Sequence, residues 1–270
     1  MQQRQVMKAD IVNLPRRETV KPALWQALLL SLILWPAKAP LAETAAPESA
    51  SCVVLLHGLG RSSLSMLALQ WRLEEEGYQV INPTYPSLTH PIQELSGIAV
   101  GEGLAGCAAL HLERIHFVTH SLGGILVRQY LEQHAIPGLQ RVVMLGPPNQ
   151  GSQMADYVDS LSLLQPLMPL AVAQLGTSDE SVPRQLGRAG FQLGVIAGTT
   201  NYLPFLPGQP EGLSDGTVAV SETIVPGMTD FLELPVGHSL MMWDDEVLEQ
   251  VVFFLQHGIF KRQSPPFNAP

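Results

Sequence analysis

The sequence predicts an α/β fold, one domain on a mostly parallel sheet of about six strands with helices on both faces. Three observations point there. The run "SCVVLLHG" is apolar without alternation, as a strand buried on both faces requires. Segments with helical spacing follow such runs in turn, the order of βαβ units. The chain has 270 residues, 46% hydrophobic and 14% charged, enough to enclose one sizeable core.

In chain order, "SSLSMLALQWRLEEEG" has helical spacing and stops at Gly77, and "YQVINPTYP" is a strand ended by prolines. "IQELSGIAVGEGLAGCAAL" is a helix whose glycines lower its propensity. "RIHFVTHS", "GGILVRQYLEQHA" and "LQRVVMLGPP" alternate as strand, helix and strand. "FQLGVIAGTT" and "TDFLELPVGH" supply the last two strands, and "DDEVLEQVVFFLQHG" is a closing amphipathic helix. Between Gly151 and Arg188 the alternation breaks into the apolar, proline-interrupted "YVDSLSLLQPLMPLAVAQLG". A helical cap at about 152–190 is expected there, since insertions of that length on the loop side of a sheet are often functional.

The first 42 residues have the order of an export signal. Arg16, Arg17 and Lys21 precede the apolar run Ala23 to Leu34, followed by Pro36 and small residues. A run of about 12 residues falls short of the roughly 20 that span a bilayer, so a signal cleaved near Ala42 is expected over a membrane anchor, with 43–51 as a linker and 52–270 as the domain. The whole chain has a formal charge of −9, and loss of 1–42 leaves nine basic and 22 acidic residues, a net −13. That balance argues against nucleic-acid partners and charge-driven membrane docking. With Cys52 and Cys107 as its two cysteines, the chain is no disulfide-dense scaffold, although an oxidising compartment permits one bridge.

The chemistry centres on "IHFVTHSLGGILVRQYL". A serine nucleophile needs a strand, a sharp strained turn that lifts the hydroxyl above the sheet, and a helix that packs close behind. Ser121 has each part, with Gly123 and Gly124 after it, but Thr119 stands where the G-x-S-x-G pattern has glycine. The competing role is a helix N-cap. A serine hydroxyl also needs a base, and the base needs a carboxylate to fix its tautomer. In this chain order the acid precedes the histidine. Asp215 in "GLSDGTVAVSE" and His238 in "LPVGHSLMM" fit, each on a loop expected at a strand's C-terminal end. His134 and His257 lie late in helices, Asp230 begins a strand, and Asp244 suits a helix N-terminus. Asp179 and Glu222 are further acids, Glu222 the next in line. Two backbone N–H groups should meet an oxyanion. Leu122 directly follows the serine, and Leu59 lies in "HGLGR", where Gly58 and Gly60 allow the backbone to turn inward; His57 is read as ordering that loop.

On these motifs the chain resembles the α/β-hydrolase superfamily, and within it bacterial lipases and esterases with an "HGL-G" loop and an "HSLGG" elbow. The likeness runs from about Val53 to the C-terminus and includes the turn "GPPNQGS", Gly146 to Ser152. It implies a triad of Ser121, Asp215 and His238 and an oxyanion hole from Leu59 and Leu122, and the apolar segment 155–175 suggests an apolar ester or lipid substrate. It implies no cofactor, and no metal site is visible, although some such lipases carry calcium. The sheet lacks the two leading strands of larger members. The family's strand order also implies that the strand from Cys52 neighbours the one containing Phe117, and hence a Cys52–Cys107 disulfide. Acyl transfer to an acceptor other than water would use the same residues. A silent binding module of this fold is the alternative outside enzymes. A nucleotide-binding oxidoreductase is disfavoured, because "VINPTYP" offers Asn82 where an acid is needed.

Overall fold

The computed structural model describes residues 51–161 and 168–262. The expected export signal and most of the linker lie outside the described residues. The strands are β1 (Cys52–Leu56), β2 (Gln79–Ile81), β3 (Ile115–His120), β4 (Leu139–Leu145), β5 (Gln192–Gly198) and β6 (Asp230–Leu234). All pair in parallel, in the order β2-β1-β3-β4-β5-β6. The helices are α1 (Leu67–Glu75), α2 (Ile92–Ala109), α3 (Leu122–Gln133), α4 (Gln153–Ser160), α5 (Leu170–Ala173), α6 (Val182–Gln185), α7 (Val220–Thr223) and α8 (Asp245–His257).

Alternate residues of each strand enter different cores. Cys52, Val54 and Leu56 join Ile92, Leu95, Ile125 and Leu126 beneath α2 and α3. Val53 and Leu55 join Leu69, Leu73, Val247 and Phe254 beneath α1 and α8. That two-sided burial is why the β1 sequence shows no polar alternation.

The glycines of α2 do not break it. A Cβ at Gly103 would lie 2.3 Å from Val54 Cγ1, so this glycine lets the helix press onto β1. Cys107, in the last turn of α2, reaches Cys52 and is disulfide-bonded to it, with Cα atoms 5.8 Å apart. The bridge implied by the family resemblance is therefore present, and β1 pairs with β3 as expected.

Chain direction across the sheet reverses between β1 and β3. From β1 the chain steps to β2 on one side, then crosses back to place β3 on the other. In open parallel sheets such a switch point opens a crevice at the C-terminal ends of the strands, where ligands bind. The loops after β1 and β3 carry "HGLGR" and Ser121.

At the opposite edge, His116 is 2% exposed and meets Tyr78 edge-on. Burial, reinforced by the charges of Arg141 and Arg114, holds its imidazole down to about 4 from an ordinary 6.5. Between those values the unfolded chain binds a proton that the folded chain refuses, so stability is lost as pH falls through that window. From pH 6.5 to 5 this amounts to about 2 kcal/mol. The urea midpoint should fall between pH 7.5 and pH 5, and by clearly less in His116→Gln; equal falls in both proteins would remove His116 as the cause.

Candidate active site

The turn after β3 places Ser121 in strained backbone geometry between β3 and α3. Its backbone sits at φ 52°, ψ −120°, a region a non-glycine residue enters only under strain. The Ser121 N–H donates to Leu145 O at 2.8 Å, which holds that strain in place. Gly123 lets α3 start directly behind the turn, because a Cβ there would lie 2.5 Å from the Leu56 carbonyl. Thr119 is fully buried, and its hydroxyl reaches Val143 O at 3.5 Å. The Ser121 side chain does not cap α3. Its Oγ lies 3.1 Å from His238 Nε2 instead.

His238 follows β6 and is 9% exposed, and its Nδ1 lies 2.7 Å from Asp215 Oδ2. An ionised carboxylate can only accept, so Nδ1 carries the proton and donates to Asp215. Nε2 is then the free base that accepts from the Ser121 hydroxyl. Asp215 is held equally firmly: its Oδ1 accepts from Thr217 N at 2.9 Å and Val218 N at 2.8 Å, and its carbonyl accepts from His238 N at 3.0 Å. Gly146, with φ +52°, runs beneath this pair, where a Cβ would lie 3.0 Å from Asp215 Oδ2 and 3.1 Å from His238 Nδ1. The turn "GPP" carries that glycine, and its role is visible only once β4 is placed beside the pair.

The competing residues are engaged elsewhere. Glu222 is buried and accepts from Ala219 N, Gln153 N and Gln153 Nε2, with burial raising its pKa. Asp230 pairs with Arg262 at the N-terminal end of β6. Asp244 is the N-cap of α8, accepting from Glu246 N and Val247 N. Asp179 pairs with Arg184 on the surface. His134 is the C-cap residue of α3, and His257 ends α8.

The loop after β1 stands beside the serine. His57 is fully buried and stacks on Tyr85 with ring centroids 3.9 Å apart, while the Tyr85 hydroxyl donates to the His57 carbonyl. Burial lowers the His57 pKa, so it is a neutral loop support. Neither the Leu59 N–H nor the Leu122 N–H is engaged in a hydrogen bond among the described residues, and Leu59 shares a cavity with Ser121.

His120 had no assigned role in the sequence. Its ring is buried against Gly58, Nε2 lies 2.9 Å from the His238 carbonyl, and the two imidazoles are 4.7 Å apart. A carbonyl only accepts, so His120 Nε2 is protonated and donates. Burial, then the charge of His238, holds the His120 pKa well below its ordinary value. The turn after β3, the β1 loop and the backbone of His238 thus meet on one neutral imidazole. No local pattern announces a contact across 118 residues of chain.

The cavity above Ser121 measures about 310 Å³. Its walls include Leu59, Met154, Val158, Val172, Leu175 and Val218, with His238, Ser239 and Arg61 also lining it. Parts of the expected cap, α4 and the residues around α5, form one wall; 162–167 lie outside the described residues. Two larger depressions of about 510 Å³ lie at the other edge of the sheet, around Arg128 and His116, away from Ser121 and His238.

A comparison with curated protein sequences gives no match. Among solved structures, the mature lipase BlEst2 of Bacillus licheniformis is similar with a TM-score of 0.58 at 20% identity, over 80% of this chain and 94% of that one. Phospholipase PlaB of Legionella pneumophila gives 0.60 at 16% identity, over 77% and 59%. Lipase B of Aspergillus fumigatus gives 0.55 at 17% identity, over 86% and 63%. This chain thus spans less than two thirds of the last two, and at such identities the likeness is one of fold. The model of the alpha/beta hydrolase family matches residues 53–253, a stretch that reaches from β1 through every later strand into α8, and the chain belongs to that family.

Proposed function

We propose that this protein is a serine hydrolase that cleaves carboxylic esters with an apolar acyl group through an acyl-enzyme. The observation that carries the reading is the hydrogen-bonded chain from Ser121 Oγ through His238 to Asp215, set on a strained turn and opening into a largely apolar cavity. His238 Nε2 takes the hydroxyl proton as Ser121 attacks the ester carbonyl. The N–H groups of Leu59 and Leu122 then hold the oxyanion. A single donor of this kind contributes about 10²- to 10³-fold to turnover where it has been removed in other enzymes. His238 returns the proton to the leaving alcohol, then activates water to release the acid. His120 remains neutral while His238 becomes cationic, which avoids two like charges 4.7 Å apart.

The lipases and the phospholipase of like fold act on esters by their names; the apolar walls support the same class here. Export with cleavage near Ala42 belongs to this proposal, supported by a buried disulfide that an oxidising compartment would maintain.

The test is a fluorophosphonate probe, which reacts only with an activated serine. The label is expected on the peptide containing Ser121 and should vanish in Ser121→Ala. A folded protein that takes no label at Ser121 overturns the proposal and leaves a binding module.

A further inference from the structure

Arg61 is a charge without a polar partner for its side chain among the described residues. It follows the "HGLG" loop, is exposed, and its guanidinium makes no ion pair or hydrogen bond among the described residues. It lines the cavity above Ser121, and it also lines an adjoining groove of about 260 Å³ formed by Gly60 and the segment from Tyr85 to Thr89. No carboxylate lines either one among the described residues. In a chain of net charge −9, Arg61 is the one Lys or Arg among the described residues that line the two depressions, and it lines both.

An ester bound at Ser121 must send its two halves in different directions. The walls from α4, α5 and Val218 are apolar and suit the acyl half. On another side, Arg61 borders both this cavity and the groove. From this arrangement we infer that the alcohol half of the substrate carries an anionic group, a phosphate or a carboxylate, which Arg61 binds. The inference rests on the esterase reading and adds the charge of the leaving group to it. A guanidinium fork matches either oxyanion with two parallel hydrogen bonds. The acidic surface does not oppose this contact, because its repulsion is spread out and screened beyond about 10 Å in 0.1 M salt, whereas the pair forms at contact.

Three soluble esters of one acyl chain test it: 1-hexanoylglycerol, its 3-phosphate, and the hexanoyl ester of glyceric acid. The readout is the ratio of kcat/KM for each anionic ester to that for the neutral one. Arg61→Gln should lower that ratio roughly tenfold, the lower end for a charge-assisted contact because the site is open to water. Arg61→Lys should recover part of it, and added salt should lower the ratio in the parent protein but not in Arg61→Gln. A larger effect on one ester than the other identifies phosphate or carboxylate as the group. A ratio unchanged by Arg61→Gln overturns the inference while leaving the esterase reading standing. Failure of the parent protein to cleave any of the three overturns the esterase reading itself.

Discussion

Asp215→Asn is expected to leave the protein folded and to lower kcat by about 10³- to 10⁴-fold, the scale seen when the acid of such a chain loses its charge. Asparagine can keep the structural half of the residue. Its carbonyl oxygen can still accept from Thr217 N and Val218 N, as Asp215 Oδ1 does now. Its amide nitrogen then occupies the place of Oδ2 and points a donor at His238 Nδ1. The imidazole can meet that donor only by moving its proton to Nε2, where it faces Ser121 Oγ and can no longer take a proton. Circular dichroism and the thermal midpoint should stay close to the parent values while turnover of a short-chain ester collapses. Turnover within a fewfold of the parent would show that the acid lies elsewhere, and Glu222 would be the next residue to replace.

Such a test follows from how much of the site is local in sequence. The Ser121 turn could be read from one stretch, because strand, turn and helix are contiguous and Gly123 is dictated by the neighbouring Leu56 carbonyl. Asp215 and His238 could be chosen by order along the chain, and the structure brings both side chains to Ser121. Asp215 was the harder of the two. It lies deep in a long irregular stretch after β5, and its neighbour Gly216, at φ +94°, would be just as natural in an ordinary surface turn.

The parts that could not be read are contacts across the sheet. His120 donates to a carbonyl that only the end of β6 can present. Arg128, in the middle of α3, resembles a surface residue in sequence, yet it is buried and donates to Asn149, Leu186 and Gly187 oxygens, which ties the segment around α6 to the sheet. The α2 glycines looked like a weakness because helix propensity counts backbone freedom. The structure uses two of them for the missing Cβ: Gly103 lets α2 approach Val54 of β1 and Gly106 lets it approach Ile81 of β2, against a propensity cost of roughly 1 kcal/mol per helical glycine, while a Cβ at Gly97 or Gly101 would meet nothing.

Close packing of α2 on β1 also sets the second large expected effect. Replacing both cysteines, Cys52→Ala with Cys107→Ala, should destabilise the protein by about 2–4 kcal/mol. The bridged residues are 55 apart in sequence, and a closed loop of that size restricts the unfolded chain by up to roughly 4 kcal/mol. For a domain of this size the thermal midpoint should drop on the order of 10 °C. Reductant should bring the parent protein close to the double variant. Turnover at 25 °C, by contrast, should not change. Cys52 begins β1, whereas the Leu59 loop leaves the other end of that strand, roughly 16 Å further along the chain. A constraint that acts on the unfolded state raises stability without touching the geometry of the folded site. Equal midpoints for oxidised, reduced and double-variant protein would remove the bridge from the stability argument. A midpoint and a kcat that fall together would instead mean that the bond holds β1 in the register that presents Leu59 to Ser121.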